Sequence, residues 1–212
     1  MFYNLIKRGI DIIGAAILGV FFLPVCILAA LAIKLDSFGP VFADTPMRVG
    51  ENGELFKMYK FRSMISNAHR ILRISPKFKT LYEQYKKNSY KLKEDPRITR
   101  VGRFIRKHSI DEIPQLLNVL RGEMSLVGPR AYYTDELEEQ QRKYPHTREL
   151  VRIVLSTRPG ITGAWQVSGR SEVNFDRRIA MDAEYVRKKS IFYDMIILIK
   201  TPWAMISGRG AM

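Results

Sequence analysis

The chain has 212 residues, 46% of them hydrophobic, which suffices for one domain with a hydrophobic core and is too few for two comfortable domains. Lys and Arg total 35 against 21 Asp and Glu, and the resulting charge of +14 predicts a polyanionic partner or surface: nucleic acid, anionic lipid or a phosphorylated substrate. The single cysteine, Cys26, excludes an intrachain disulfide and a cysteine-based metal site, and the three histidines lack zinc-ligand spacing.

The first predicted element is an apolar helix that enters a membrane. No charged residue lies between Ile12 and Ile33, and at about 1.5 Å per residue this run is long enough to cross the hydrocarbon core of a bilayer. Residues 30–32 imitate a signal-peptide cleavage site, but the run exceeds the roughly 7 to 15 apolar residues of a signal peptide. We therefore expect the helix to be retained as a membrane element.

Two features of this run favour a re-entrant hairpin. Pro24 lies in its middle, where it removes a backbone donor and kinks or breaks the helix. Lys7 and Arg8 precede the run and Lys34 follows it, so the positive-inside tendency draws both ends towards the cytoplasm. A helix that enters, turns at Pro24 and returns satisfies both features, and a kinked helix that spans the membrane is the alternative.

Beyond the apolar run the composition changes to that of a soluble chain rich in turns. Short strands are predicted at residues 41–43 and 55–64, on either side of a turn at 50–53. Lys60 and Arg62 are two residues apart in the second strand, so they project from one face. They form a candidate phosphate clamp, and a charged strand edge that deters aggregation is the alternative.

A basic segment with interleaved tyrosines follows at residues 69–95. As a helix it suits a lipid headgroup surface, while RNA binding and an ordinary exposed helix are the alternatives. No recognisable nucleic-acid module supports RNA binding. In residues 97–106, apolar side chains recur at helical spacing and four arginines cover another sector of the helix, which predicts a basic stripe that runs towards the next motif.

The adjacent carboxylates Asp111 and Glu112 are the most informative pattern in the chain. Ser109 and Glu112 fit a capping box at the start of a helix that Gly122 ends, but this structural interpretation gives Asp111 no role. At a helix N-terminus the free N–H groups keep an aspartate ionised and attract phosphate. One carboxylate can then attack phosphorus while its neighbour holds a divalent cation that offsets the repulsion between the two anions.

Two later turns place an arginine beside glycine. Arg130 directly follows Gly128-Pro129, and Arg158 directly precedes Pro159-Gly160. Glycine lets the backbone approach a phosphate closely, and arginine can bind two phosphate oxygens at once. Both turns are therefore candidate phosphate-binding sites, although each pattern alone is weak.

The C-terminal residues 191–199 form a second apolar segment, which is short for a membrane span. Because Trp203 follows, the segment is predicted to be an interfacial helix with the indole at the depth of the lipid headgroups. A helix in the protein core is the alternative.

Taken together, these segments resemble the monotopic polyprenyl-phosphate phosphoglycosyl transferases, a bacterial sugar transferase family. The resemblance covers nearly the whole chain and rests on these ordered motifs: Lys7-Arg8 with Asp11, the apolar run with Pro24, Lys60-Phe61-Arg62, Asp95-Pro96-Arg97, Asp111-Glu112-Ile113-Pro114-Gln115-Leu116, Ser125-Leu126-Val127-Gly128-Pro129-Arg130, Pro159-Gly160-Ile161-Thr162-Gly163 and Trp165-Gln166-Val167-Ser168-Gly169-Arg170. Two positions depart from the family pattern. Leu23 replaces the serine of the usual Ser-Pro at the membrane break, and Ala131 replaces the proline that usually follows Gly-Pro-Arg.

The resemblance implies an α+β, predominantly helical fold in three parts. Residues 1–35 would form the re-entrant helix-break-helix membrane hairpin, residues 36–190 a small cytosolic catalytic domain, and residues 191–212 an interfacial segment of the same domain. It implies the short form of the family, without an N-terminal multi-span region. The implied location is the cytoplasmic face of the bacterial inner membrane.

The resemblance also implies a two-step reaction. Asp111 would attack the β-phosphorus of a UDP-sugar, releasing UMP and keeping the phosphosugar, which polyprenyl phosphate then takes. Glu112 would hold Mg²⁺. The implied substrate contacts are Arg8, Lys60, Arg62, Arg130, Arg158, Gly169 and Arg170.

The expected donor is a UDP-hexose such as galactose or glucose, because the form of residues 165–170 is similar to members that use these sugars. Self-association and downstream glycosyltransferases are further expected partners, and nucleic acid is not. A membrane-tethered nucleic-acid binder and a non-catalytic scaffold are the alternatives, supported by the basic charge alone.

Overall fold

Helices dominate the fold. The computed structural model describes residues 2–87, 92, 94–168 and 174–206. Within these ranges the α-helices are α1 (Phe2–Asp36), α2 (Ala68–Ile74), α3 (Lys79–Lys87), α4 (Arg100–Lys107), α5 (Leu116–Arg121), α6 (Thr134–Lys143), α7 (Arg148–Leu155), α8 (Ala164–Ser168), α9 (Phe175–Lys188) and α10 (Ile191–Ile206). The strands are β1 (Arg48–Val49), β2 (Leu55–Phe56), β3 (Ser125–Val127), β4 (Tyr132–Tyr133) and β5 (Gly160–Thr162). The prediction of a predominantly helical α+β fold is confirmed.

The strands form two small sheets. In the first, β1 lies between β2 and β4, all pairs are antiparallel, and Arg48 is opposite both Phe56 and Tyr133. In the second, β3 and β5 are parallel, and Ser125 is opposite Gly160. The parallel pair brings together the two glycine-containing turns that are far apart in sequence.

The strand predicted at residues 55–64 is shorter than expected. β2 covers Leu55–Phe56 only, and the earlier predicted strand is reduced to an isolated bridge between Phe42 and Phe61. The N–H of Phe61 donates to the main-chain oxygen of Asp111 at 3.0 Å. A continuous ladder is absent because this backbone divides its hydrogen bonds between two different segments.

The two largest hydrophobic clusters among the described residues make up most of the core. The larger includes Ala15, Val119, Met124, Val127, Tyr185 and Ile197, and so joins α1, α5, β3, α9 and α10. The smaller includes Val49, Tyr132, Leu137, Val151, Phe175 and Ile179, and so joins β1, β4, α6, α7 and α9. Helix α9 contributes to both clusters and therefore links them.

Helix α1 runs without interruption through Pro24. The main chain stays helical at Pro24, so the helix is not broken there, and a kink at this residue stays a prediction. By length and composition, α1 is the one helix among the described residues that could cross a membrane. Most of its large apolar side chains are exposed, among them Ile13, Val20, Phe21 and Leu28. Its re-entrant path stays a prediction.

A buried ion pair attaches the N-terminal part of α1 to the domain. Lys7 Nζ lies 2.8 Å from Asp11 Oδ1 and 3.4 Å from Asp194 Oδ2 of α10. Asp11 also accepts a hydrogen bond from the N–H of Leu126 in β3 at 3.1 Å. Removal of the helix from this position would leave charged groups buried and unpaired.

The C-terminal part of α1 is attached to the same domain. Ala29 and Ile33 are buried against Phe61 and Ile105. Just beyond the helix, the guanidinium of Arg62 donates within 2.8 Å to three main-chain carbonyls, those of Ser37, Phe38 and Pro40. Both ends of the apolar run therefore contact one domain.

The basic segment predicted as a helix at residues 69–95 contains two helices. Helix α2 ends at Ile74, and a 3-10 turn that begins at Pro76 separates it from α3. Proline disfavours helical geometry in the residue before it, which explains the interruption.

Helix α10 has one buried and one exposed side. Ile197 lies in the core, and Asp194 accepts a hydrogen bond from the Tyr185 hydroxyl at 2.7 Å. Four large apolar side chains of the described residues remain exposed on the helix: Phe192, Met195, Ile199 and Trp203. The buried side fits the alternative prediction of a helix in the protein core. Contact of the exposed side with lipid stays a prediction.

The ion pair at the base of α1 makes a stability prediction. Asp11→Ala removes the nearer of the two carboxylate partners of Lys7 and the acceptor of the Leu126 N–H, so we expect it to lower the free energy of unfolding by about 3 kcal/mol. The thermal unfolding midpoint in detergent should fall well below that of Glu138→Ala, which removes an exposed carboxylate 3.8 Å from Arg142. Equal midpoints for the two variants would show that the buried pair does not hold α1.

Candidate active site

The two carboxylates lie in a 3-10 helix, Ile110–Gln115, rather than in the first turn of an α-helix. Ser109 has a φ of 55° and its side chain forms no capping hydrogen bond, so the predicted capping box is wrong. In this left-handed conformation, the Ser109 main-chain oxygen accepts a hydrogen bond from Glu112 N at 3.1 Å instead. The predicted end of the following helix is confirmed, since Gly122 terminates α5 with a φ of 86°.

Lys60 is paired with the two adjacent carboxylates, Asp111 and Glu112, which together form the dyad. Its Nζ lies 2.6 Å from Glu112 Oε1, and the neighbouring Phe61 N–H donates to Asp111 O at 3.0 Å. Asp111 is 8% exposed, whereas the Glu112 side chain is 38% exposed because it borders a cavity. The segment around Lys60 and the dyad therefore form one unit.

The two carboxyl groups have different proton affinities. Burial raises the pKa of Asp111 to about 6, and the charge of Glu112 adds to this, although Lys60 and Arg106 act in the opposite direction. Burial also disfavours the charged form of Glu112, but the charge and hydrogen bond of Lys60 outweigh it and hold the pKa of Glu112 below its ordinary value. Adjacent carboxyl groups with separated pKa values are typical of sites where each has its own chemical role.

A cavity of about 430 Å³ contains the dyad. Its cationic lining residues are Arg48, Lys60, Arg62, Arg97, Arg106 and Arg130. A cavity of this size and polarity can hold a small phosphorylated ligand. Sequence reasoning treated Arg106 only as part of a basic stripe and missed Arg48, because nothing in the local pattern separates either from other surface arginines.

Arg130 is held over two aromatic rings. Its Cζ lies 5.3 Å from the centre of the Trp165 ring and 5.9 Å from that of Tyr132, and its main-chain N–H donates to Asp182 Oδ2 at 3.1 Å. Arg130 Nε is buried without a hydrogen-bond acceptor among the described residues. The guanidinium is therefore fixed in the cavity wall with a donor to spare.

The parallel strands bring the two predicted turns into direct contact. Gly128 N donates to Thr162 O at 2.9 Å, and Gly160 N donates to Pro129 O at 2.8 Å. A Cβ at Gly128 would lie 2.5 Å from the main-chain oxygen of Arg158, so only glycine fits there. This close approach sets the direction in which Arg130 leaves the turn.

The structure does not gather all the predicted phosphate contacts. Arg8 donates to the carbonyls of Val119 and Leu120. Arg158 forms an ion pair of 3.3 Å with Glu51. Neither arginine lines the cavity. Arg62 borders the cavity, but its guanidinium is bound to the main-chain carbonyls after α1. Gly169 and Arg170 lie outside the described residues. Phosphate binding by these five residues stays a prediction.

The dyad suits Mg²⁺ only together with a phosphorylated ligand. Among the described residues no group of three or more His, Cys, Asp or Glu side chains could hold a metal ion. Mg²⁺ is commonly held by one or two carboxylates, with phosphate oxygens and water as its other ligands. Glu112 fits this requirement, and Lys60 would compete with the ion for its oxygen.

The chain belongs to the bacterial sugar transferase family, whose model matches residues 2–208. It is 40% identical over 209 residues to exopolysaccharide production protein ExoY of Rhizobium meliloti, covering 97% of this chain and 87% of ExoY. It is also 40% identical to undecaprenyl-phosphate galactose phosphotransferase of Salmonella typhimurium over 206 residues and to undecaprenyl-phosphate glucose phosphotransferase of Komagataeibacter xylinus over 210 residues. These alignments cover 97% of this chain but only 41% and 36% of the two relatives.

The raised pKa of Asp111 predicts a pH-dependent effect of its replacement on stability. Between about pH 4, the ordinary pKa of aspartate, and pH 6, the folded state binds more protons here than the unfolded state, so wild-type stability falls as pH rises. Asp111→Asn has no charge to bury. The thermal unfolding midpoint of the variant minus that of wild type should therefore be several degrees larger at pH 7.5 than at pH 4.5.

Asp135→Asn is the control, because it neutralises an exposed carboxylate. The difference between this variant and wild type should not increase towards high pH. A difference in thermal midpoint between Asp111→Asn and wild type that is the same at pH 4.5 and pH 7.5 would contradict a buried Asp111 of raised pKa.

Proposed function

We propose that this chain transfers a sugar 1-phosphate from a UDP-sugar to polyprenyl phosphate, with undecaprenyl phosphate as the acceptor. The observation that carries the proposal is the Asp111 carboxyl, buried beside the Lys60–Glu112 pair in a cavity lined by arginines. Family membership and the names of the two phosphotransferase relatives support the substrate class. The donor is a UDP-hexose such as UDP-galactose or UDP-glucose, and the product begins exopolysaccharide, capsule or glycan assembly.

Asp111 is the nucleophile of the first step. One carboxylate oxygen bonds to the β-phosphorus of the UDP-sugar while the bond from that phosphorus to the bridging oxygen breaks, and the oxygen leaves on UMP. Burial limits the hydration of the carboxylate, and Lys60 and Arg106 offset the charge of the arriving diphosphate. The sugar phosphate remains joined to Asp111.

The second step regenerates the carboxylate. An oxygen of polyprenyl phosphate bonds to the same phosphorus, and the bond between phosphorus and Asp111 breaks. The Arg130 guanidinium lies over the Trp165 ring, the Arg130 main-chain N–H donates to Asp182, and Nε is an unused donor for an oxygen of the transferred phosphate. The products are the polyprenyl diphosphate sugar and free enzyme.

Glu112 is the proposed ligand of Mg²⁺. Bound there, the ion would supply positive charge that offsets the repulsion between the Asp111 carboxylate and the diphosphate. Lys60 positions the Glu112 carboxylate through their 2.6 Å ion pair.

The attachments of α1 support a monotopic, re-entrant membrane helix. Contacts of Asp11 with β3 and of Ile33 with Phe61 tie both ends of the apolar run to one domain, which lies on one side of a bilayer. We place this domain on the cytoplasmic face of the inner membrane, where the basic surface meets anionic lipid. Self-association and contact with downstream glycosyltransferases stay predictions.

A nucleic-acid binder or a scaffold explains less of the structure. Basic surface charge serves either role, but neither requires a buried Asp111 or the ion pair of Lys60 with Glu112. Both alternatives leave the chemistry of the cavity unused.

Replacement of Asp111 tests the covalent step. Asp111→Asn removes the nucleophile, so UMP release from UDP-galactose or UDP-glucose should fall at least about 1000-fold. Wild type incubated with the donor and without polyprenyl phosphate should gain the mass of one hexose phosphate in intact-protein mass spectrometry. Asp135→Asn should turn over at the wild-type rate, and undiminished turnover by Asp111→Asn would remove the nucleophile assignment.

The pH dependence of the first step follows from the same residue. Only ionised Asp111 attacks, so kcat/KM for UMP release should fall about tenfold per pH unit below pH 6 and level off above it. Lys60→Met should move the midpoint to higher pH, because the charge of Lys60 lowers the pKa of Asp111. A rate that is constant from pH 5 to pH 8 would contradict a nucleophile that titrates near 6.

A further inference from the structure

Arg48 is a buried cation without a carboxylate partner. It lies on β1 and is 6% exposed, and no ion pair involves it among the described residues. Its guanidinium lies 3.3 Å from the centre of the Tyr133 ring. Nη1 donates to Ala131 O at 3.1 Å, Nε is buried without an acceptor, and Nη2 has no acceptor in the described part of the chain.

Nε and Nη2 of an arginine point in the same direction and together bind two oxygens of one carboxylate or phosphate. Arg97 shows this arrangement in the same cavity, because its Nε and Nη2 donate to the two oxygens of Asp95 at 2.8 and 2.6 Å. Arg97 Nη1 donates to a main-chain carbonyl, as Nη1 of Arg48 does. The two arginines thus differ in one respect: the two-donor edge of Arg48 has no protein anion.

The nearby groups leave the charge of Arg48 uncompensated. Asp44 lines the same cavity but lies beyond ion-pair distance from Arg48. His69 also lines the cavity, and its pKa is lowered to about 4 by burial and by the charges of Arg97, Arg48 and Arg73. The potential around Arg48 is therefore positive, while Asp111 and Glu112 border the same cavity.

A guanidinium cannot lose its proton, so Arg48 cannot remove its own charge from the buried site. Arginine stays charged at any physiological pH, and a buried charge without a partner is strongly unfavourable. The cavity that exposes this edge contains the proposed catalytic dyad. A substrate phosphate supplies both the compensating charge and the pair of oxygens.

We propose that Arg48 binds a phosphate of a substrate through its Nε–Nη2 edge and so forms a second anion subsite beside the dyad. The inference rests on the proposed function for the identity of the substrates. Two of them carry the required group, the diphosphate of the nucleotide sugar and the phosphate of the polyprenyl carrier. Both substrates would be bound in the same way: Nε and Nη2 of Arg48, whose guanidinium lies over the Tyr133 ring, donate two parallel hydrogen bonds to the phosphate.

The test measures binding without turnover. The dissociation constants of UDP and of polyprenyl phosphate are determined separately by titration of the full chain in lipid nanodiscs. Arg48→Gln removes the charge and the paired Nε and Nη2 donors. Arg48→Lys keeps the charge and removes the paired donors. Arg142→Gln is the matched control, since it removes the same charge from an exposed side chain.

We expect Arg48→Gln to weaken the binding of one or both ligands about 100-fold and Arg48→Lys about tenfold, while Arg142→Gln stays within twofold of wild type. Weaker UDP binding assigns the subsite to the donor, and weaker polyprenyl phosphate binding assigns it to the acceptor. Circular dichroism establishes that each variant is folded. Where Arg48→Gln does not fold, the Arg48→Lys result decides.

Unchanged affinities for both ligands in a folded Arg48→Gln variant, or in Arg48→Lys where it alone folds, would overturn the proposal. Failure of the proposed function has a different signature. A wild-type protein that releases no UMP from any UDP-sugar would refute the transferase activity, yet UDP titration would still decide whether Arg48 binds phosphate.

Discussion

The carboxyl group of Asp111 is buried next to a second carboxylate, so its ionisation depends on the cations that the fold places around it. Lys60 binds Glu112 and lowers the pKa of that group, which leaves Asp111 as the carboxyl that titrates near neutral pH. The hydrogen bond from Phe61 N to Asp111 O joins the two segments. Because a main-chain contact and an ion pair act at adjacent residues, Lys60 cannot move without moving the dyad.

Helix α1 and the cavity that contains Asp111 and Glu112 share their supports. Asp11 of α1 accepts a hydrogen bond from Leu126 of β3, the strand that leads into the Gly128 turn and Arg130. At its other end, α1 packs on Phe61, the neighbour of Lys60. Helix α1 is thus attached to both segments, the one that carries Arg130 and the one that carries Lys60. An acceptor phosphate at the bilayer surface and the reacting groups would therefore be positioned by one set of contacts.

The arginines show why a net charge of +14 says little about function by itself. The fold gives Arg62 three main-chain carbonyls and Arg97 the carboxylate of Asp95, and these two side chains act as structural ties. Arg130 and Arg48 occupy the same cavity with donors that no described residue accepts. Spacing in the sequence made Arg62 a candidate for a phosphate clamp, the family resemblance implied its role as a ligand, and neither pointed to Arg48, because spacing reports the face of a strand and not the partners across it.

The sequence by itself determined an apolar helix long enough to cross a membrane, the paired carboxylates, the end of α5 at Gly122 and the family, because hydropathy, adjacency and glycine conformation are local properties. Only the tertiary structure decided that α1 continues through Pro24, that Ser109 adopts a left-handed conformation in place of a cap, and which cations have donors left for a ligand. The last of these outcomes depends on burial and on hydrogen bonds between residues far apart in the chain. Such contacts exist only once the segments have packed together.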